Sequence, residues 1–300
     1  MGIQMRIDDI RIMNAAGIVK VVSDVEPLLK TPVTDVVLGS ITMIEREGEP
    51  EPTFWVSDDG SFALNRVGLR NPGSEYYRKH LPEIGRKVRD AGKELTVSLA
   101  GFSIGEYVSL AEIALEGGAD AIELNLGCPN VWDGDSAEQK IIPSFDPDFL
   151  EQTVVNVWNY TQDLVPLSLK LSPYSDPGLL RRVAKSPIMN EIVDAVVATN
   201  TLPNGIAYWG GKPVISGNGL AGVSGKVLKP VALGQVAQLR AALPGRVRVV
   251  GVGGISCGAD VRDMVRAGAA AVQVGTHFFQ YGPKVFGEIL SEALVEEVVV

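Results

Sequence analysis

The sequence predicts an α/β chain folded as a (β/α)8 barrel, and three observations carry that expectation. First, eight short apolar runs recur along the 300 residues: Arg11–Ala15, Asp35–Ser40, Leu95–Ala100, Ala121–Leu126, Leu167–Leu171, Ala195–Thr199, Val247–Val252 and Ala271–Gly275. They are near-continuously apolar rather than alternating, as parallel strands covered on both faces must be. Second, helical patterns lie between most of them, and alternating strand and helix builds a parallel sheet with right-handed crossovers. Third, eight such repeats are the number that closes a barrel. An open doubly wound sheet is the competing arrangement, but no GxGxxG turn follows the first strand.

The helices announce themselves by their first turns. Ser103 and Glu106 have capping-box spacing, and Tyr107, Leu110, Ala111, Ala114 and Leu115 then recur at helical intervals. Asp146-Pro147 and Asp176-Pro177 each pair an N-cap aspartate with proline in the first turn. Leu150, Val154, Val157 and Trp158 follow the first pair; Leu180, Val183 and Ala184 follow the second. Pro230 opens a further helix carrying Leu233, Val236 and Ala237, and residues Gly258–Gly268 and Pro283–Leu294 supply the last two.

Three strand-to-helix connections are long: Ile41–Gly73, which is expected to hold a small hairpin, Val131–Phe145, and Leu202–Lys229. All leave strand C-terminal ends, where barrel active sites are built, and loops of this length are commonly functional. No domain boundary is visible, so a single domain over residues 1–300 is expected. A hydrophobic fraction of 46% suffices for a large core, and the net charge of −9 argues against nucleic acid and anionic membrane surfaces. No apolar run reaches membrane-spanning length, no signal peptide is evident at the start, and two cysteines are too few for a disulfide framework. A soluble, cytoplasmic protein is the expectation.

The chemistry-bearing residues cluster at the predicted strand ends. Cys128 lies just beyond the fourth strand, flanked by Asn125 and Asn130. A buried structural thiol and a catalytic base are both open at this level; Cys257, in a different turn, reads as structural. Gly253-Gly254 and Gly275-Thr276 follow the seventh and eighth strands, the usual barrel phosphate site, where glycine lets backbone amides approach an anion. Lys170 sits inside an apolar strand, costly unless its charge is paired, although a lysine at a strand end can also snorkel outward. Asn65 and Asn200-Thr201 offer donors and acceptors suited to an amide-bearing ring, though each alone reads as a turn residue. His80 and His277 read as structural. Asp133, Asp135 and Glu138 do not follow EF-hand order, so no metal site is expected.

These motifs resemble one family. ELNLGCPN (Glu123–Asn130) is similar to the signature of the dihydroorotate dehydrogenases, in particular the class 1 enzymes with cysteine at this position. The resemblance continues through NAAG (Asn14–Gly17), EREGEP (Glu45–Pro50), LNRVGLRNPG (Leu64–Gly73), SLKLSPY (Ser168–Tyr174) and ATNTLPNG (Ala198–Gly205). LAGVSGKVLKPVAL (Leu220–Leu233), GVGGIS (Gly251–Ser256) and QVGT (Gln273–Thr276) complete it. It implies an FMN oxidoreductase of pyrimidine biosynthesis. Ala16 and Gly17 would line the flavin, Asn125 and Lys170 would contact its rings, and Thr199 would lie near it. Gly225, Gly253, Gly254, Gly275 and Thr276 would hold its phosphate. Asn65, Gly68, Leu69, Asn125, Asn130, Asn200 and Thr201 match substrate-contacting positions. Cys128 would take a proton from C5 of dihydroorotate while C6 passes a hydride to flavin N5, under a loop at Val131–Phe145.

One departure stands out. The family usually carries a lysine just after the second strand that reaches flavin and substrate carboxylate, and the aligned residue here is Gly39. Alanine also replaces the usual serine at position 16. Arg66 or Arg70 is expected to supply the lost charge. Three readings follow: dihydroorotate oxidation, a related FMN enzyme acting on another pyrimidine-like ring, or a flavin-free phosphate-binding barrel lyase or isomerase. The resemblance leaves the acceptor open between fumarate and an NAD-linked partner subunit. It implies a homodimer or a partnered assembly, away from the membrane-bound quinone class.

Overall fold

A computed structural model describes residues 10–129 and 141–294. Its centre is a closed parallel barrel of eight strands: β1 (Arg11–Asn14), β2 (Asp35–Ile41), β3 (Glu94–Leu99), β4 (Ala121–Asn125), β5 (Leu167–Leu171), β6 (Ala195–Ala198), β7 (Arg248–Val252) and β8 (Ala271–Val274). Each pairs with its sequence neighbours, and β1 closes on β8 through the register Arg11↔Ala271 to Asn14↔Val274. All eight predicted runs became barrel strands, with ends shifted by a residue or so. The register sets the faces. Ile122 and Leu124 of β4, and Leu167, Leu169 and Leu171 of β5, point outward into the main apolar core beneath the helices. The intervening residues point inward.

The interior is asymmetric. β1, β2, β6, β7 and β8 contribute Met13, Val37, Ala195, Val197, Val250, Val252 and Ala271 to a small inner apolar cluster. β3, β4 and β5 contribute Ser98, Glu123, Asn125 and Lys170 instead, all buried. Closure at β1–β2 is thin, with one register pair, Met13↔Asp35. Asn14 completes it: its amide nitrogen donates to the Val37 carbonyl at 2.7 Å and its oxygen accepts from the Val37 N–H at 2.9 Å. The side chain thus acts as an extra peptide rung. At the opposite end of the barrel Arg11 pairs with both Asp35 and Glu94.

The predicted caps are present. Ser103 Oγ accepts from Glu106 N at 3.2 Å, while the Glu106 carboxylate reaches one residue further back, to Phe102 N. Asp146 accepts from Phe149 N and Asp176 from Gly178 N, each with proline in the first turn. The hairpin expected in the first long connection is Phe54–Val56 against Ala63–Asn65. The third connection supplies two strands, Ala221–Ser224 and Leu202–Gly205, which extend the hairpin into a four-stranded antiparallel sheet. Its own small core is Leu64, Ile215 and Ala221, packed by Trp55, Phe62 and Val223. Glycine and proline hide these strands in the sequence; Ala63–Asn65, far back in the chain, makes Ala221–Ser224 a strand, and Leu202–Gly205 then pairs with Ala221–Ser224. The sheet stands over the C-terminal mouth of the barrel.

Candidate active site

A polar chain climbs from the barrel interior to its mouth. At the base Glu123, fully buried, accepts from Ser98 Oγ at 3.1 Å and from Gln273 Nε2 at 2.8 Å. The other end of the Gln273 amide accepts from Lys170 Nζ at 2.9 Å. Gln273 therefore bridges a buried carboxylate and a buried ammonium. Burial lowers the Lys170 pKa, and the charges of Glu123 and Cys128 counter it. Above, Ser98 Oγ bonds Ser40 Oγ at 2.9 Å, and Ser40 Oγ accepts from Asn125 Nδ2 at 2.8 Å. Asn125 Oδ1 accepts from Asn200 Nδ2 and Gly127 N, so both ends of that amide are fixed. Tyr107 Oη donates to the Asn125 carbonyl, pinning the end of β4. A set held this way is preorganised by its supports.

This chain opens into a cavity of about 430 Å³ at the strand C-termini, a volume within the range of small-ligand sites. Ala16, Gly17, Asn65, Gly68, Leu69, Asn125, Cys128, Lys170, Thr199, Asn200, Thr201, Gly225, Gly253, Gly254, Gly275 and Thr276 all line it. Every described residue that the resemblance assigns to flavin, phosphate, substrate or base is thus brought to one place. Asn130 and the loop 131–140, with its three acidic residues, lie outside the described residues.

At one end are the glycine turns after β7 and β8. Gly253 and Gly254 take positive φ of 130° and 75°, and a Cβ on Gly254 would stand 2.6 Å from that of Lys229. The neighbouring helix Gly258–Arg266 satisfies its own start. Asp260 accepts from the amides of Ser256 and Cys257, and Glu292 from that of Gly258. An anion is therefore left to the two glycine turns rather than to that helix. Lys226 lines the same end, and Thr276 Oγ1 bonds Ser224 Oγ across it at 2.9 Å. His277, read as structural, also lines the cavity; burial depresses its pKa.

The residues present fit a flavin nucleotide. Thr199 Oγ1 is buried against the cavity with no hydrogen-bond partner among the described residues, an orphan that a ligand group would satisfy. A Cβ on Gly17 would meet nothing within 4 Å, so that glycine keeps space open on the cavity wall. The two cysteines have different surroundings: Cys257 Sγ donates to Asp260 Oδ2 at 3.3 Å as part of a helix cap, whereas Cys128 faces the cavity, within the electrostatic reach of Lys20 and Lys170.

The charge expected from Arg66 or Arg70 comes from neither. Arg66 is buried against Glu49 and Asn218, Arg70 pairs with Glu51 and the Glu47 carbonyl, and neither lines the cavity. Their guanidinium groups knit the first long connection together and, through Asn218, to the third. Gly39 itself cannot carry a side chain. Its φ is +114°, and a Cβ would fall 2.5 Å from the Ser98 carbonyl oxygen. Sequence reasoning missed Lys20, Ser40, Glu123 and Gln273. Glu123 and Gln273 did leave a signal, single polar residues inside apolar runs. Lys20, in the loop after β1, left none.

Comparison with known proteins agrees with this geometry. The family model described as dihydroorotate dehydrogenase matches residues 10–296. The chain is 32% identical over 286 residues to the dihydroorotate dehydrogenase (fumarate) of Saccharomyces cerevisiae, covering 93% of this chain and 87% of that one. It is 34% identical over 263 residues to the catalytic subunit of dihydroorotate dehydrogenase B (NAD(+)) of Thermoplasma volcanium, covering 87% and 80%. A solved dihydroorotate dehydrogenase of Eimeria tenella, in complex with ferulenol, superposes with a TM-score of 0.78 at 22% identity, over 94% of this chain and 80% of that one, which speaks to the fold. Among the described residues no helix is long and apolar enough to cross a membrane. On the match of the family model across nearly the whole barrel, the chain belongs to the dihydroorotate dehydrogenase family.

Proposed function

We propose that this protein is an FMN-dependent dihydroorotate dehydrogenase of class 1 type, oxidising dihydroorotate to orotate with Cys128 as base. The observation that carries this reading is the placement of Cys128, Asn125 and Lys170 around one cavity whose far end is two glycine turns. Cys128 Sγ takes the C5 proton. Lys20 and Lys170, both within electrostatic reach, favour the thiolate that this requires. FMN, when bound, supplies the acceptor for the hydride leaving C6. Lys170 and Asn125 would hold its ring system, with Ala16, Gly17 and Thr199 beside it. Gly225, Gly253, Gly254, Gly275 and Thr276 would take its phosphate through backbone amides. Asn65, Gly68, Leu69, Asn125, Asn130, Asn200 and Thr201 would orient the pyrimidine, fixing its distance from the base.

The test is spectroscopic. The protein, as purified or reconstituted with FMN, should be yellow and should bleach anaerobically on addition of dihydroorotate. A protein that cannot take up FMN contradicts the reading. Gly39 favours one rival, a related enzyme acting on a pyrimidine-like ring without the carboxylate; bleaching by dihydrouracil but not by dihydroorotate would select it. A cytoplasmic location, and assembly as a homodimer or with an electron-transfer subunit, belong to the same proposal. The acceptor is fumarate or an NAD-linked partner, separated by whether fumarate alone reoxidises the reduced protein.

A further inference from the structure

Lys20 is a cation at the mouth of the barrel, and nothing in the sequence pointed to it. It lines the cavity together with Cys128, Ser40 and Asn125. The segment that carries it is laced to Gly39: Gly17 N donates to the Gly39 carbonyl at 2.6 Å, and Gly39 N to the Val19 carbonyl at 2.8 Å. Its backbone is fixed from the other side, because Asp24 Oδ2 accepts from the amides of Lys20 and Val21 at 2.8 and 3.1 Å. Those two bonds occupy Asp24 as a helix cap. The ammonium itself makes one hydrogen bond among the described residues, a long one of 3.4 Å to the Ser40 carbonyl. An ammonium carries three donors, so Lys20 presents unspent donors and a positive charge to the cavity.

We infer that Lys20 takes over, from the loop after β1, the charge that Gly39 cannot supply, and that it binds the carboxylate of the pyrimidine substrate. This rests on the proposed dihydroorotate reading and deepens it. The geometry explains why the cation is at 20 rather than 39. The backbone at Gly39 excludes a Cβ, while the strand of chain bonded to it delivers a lysine to the next carbonyl along, that of Ser40. Burial pushes the Lys20 pKa down to about 8, with Cys128 and Asp24 opposing. A ligand carboxylate would restore the charge balance.

Binding of the product separates this role from chemistry, since orotate binding needs no base. The FMN-loaded protein is titrated with orotate and with orotamide, its neutral counterpart, by flavin absorbance and by calorimetry. Lys20→Met should weaken orotate about 30-fold, the scale of one charge-assisted hydrogen bond, and change orotamide by less than about twofold. Lys20→Arg should restore most of the affinity. FMN affinity, measured separately, should be unchanged. Unaltered orotate affinity in Lys20→Met, in a wild type that binds orotate, overturns the role of Lys20 and leaves the proposed function standing. Loss of FMN affinity without loss of orotate affinity likewise overturns it. A wild-type protein that binds FMN but no orotate overturns both.

Discussion

Replacing Gln273 with leucine removes the bridge between two buried charges. Its amide accepts from Lys170 Nζ at 2.9 Å and donates to Glu123 Oε2 at 2.8 Å. Each is a hydrogen bond to a charged group, about 1.5–3 kcal/mol, so the pair is worth about 3–6 kcal/mol. An independent scale, the cost of stripping a partner from a buried ion pair, is about 3–5 kcal/mol. A loss of about 4 kcal/mol is a large share of the roughly 5–15 kcal/mol that stabilises a domain. At roughly 2–3 °C per kcal/mol for a chain of this size, Tm should fall by about 10 °C. The measurement is urea and thermal unfolding of Gln273→Leu against wild type. A companion variant sharpens it. Glu123→Leu, Lys170→Met and Gln273→Leu together remove every member of the charged set, while Ser98 keeps its bond to Ser40. Replacing a whole buried ionic set by apolar residues is often neutral in stability, so the triple variant should be more stable than the single one, yet fail to bind FMN productively. A single variant within about 1 kcal/mol of wild type, or a triple variant no more stable than the single, would refute the reasoning.

Further outcomes follow from other contacts. Asn14→Ala removes the side-chain rung between β1 and β2 and leaves a buried N–H and C=O without partners, so it should cost about 2–4 kcal/mol in urea unfolding; a change under 0.5 kcal/mol, on the order of a surface substitution, would show that the barrel closes without it. Gly254→Ala drives a methyl into Lys229 at a φ of 75° and should lose both stability and FMN affinity, and Gly17→Ala, with nothing within 4 Å but held at a φ of 105°, should lose less stability through backbone strain alone; a larger Tm loss in Gly17→Ala than in Gly254→Ala would contradict the ordering. Orotate affinity should be level below pH 8 and fall as pH rises past it, because the Lys20 ammonium, whose pKa burial lowers to about 8 against the opposing charges of Cys128 and Asp24, is the form that binds an anion; the decline should vanish in Lys20→Met. Cys257→Ser, which keeps a donor to Asp260, should leave flavin reduction by dihydroorotate unchanged.

The barrel was legible because its outer face is. Ile122, Leu124, Leu169 and Val272 fill the layer beneath the helices, and short runs of such residues closed by glycine or polar turns read as covered strands. The caps at Ser103, Asp146 and Asp176 are local chemistry and were equally visible. The site residues came together because the eight strand ends converge, so positions read one at a time along the chain face one cavity. What was hidden depends on distance in sequence. The strand Ala221–Ser224 exists because Ala63–Asn65 lies beside it. The Gln273 bridge needs Lys170 and Glu123 from two other strands. Lys20 looks like any turn lysine until the lacing to Gly39 places it at the mouth, and the arginines expected in its stead were claimed by nearby acids.

The role of Cys128 is the central claim, and one experiment addresses it without an electron acceptor. FMN-loaded wild type and Cys128→Ala are mixed anaerobically with saturating dihydroorotate, and flavin bleaching is followed by rapid-mixing absorbance. A general base contributes about 10²–10⁴-fold, so the variant should bind FMN and orotate like wild type and reduce its flavin at least about 100-fold more slowly. Flavin reduction in Cys128→Ala at the wild-type rate would contradict the account.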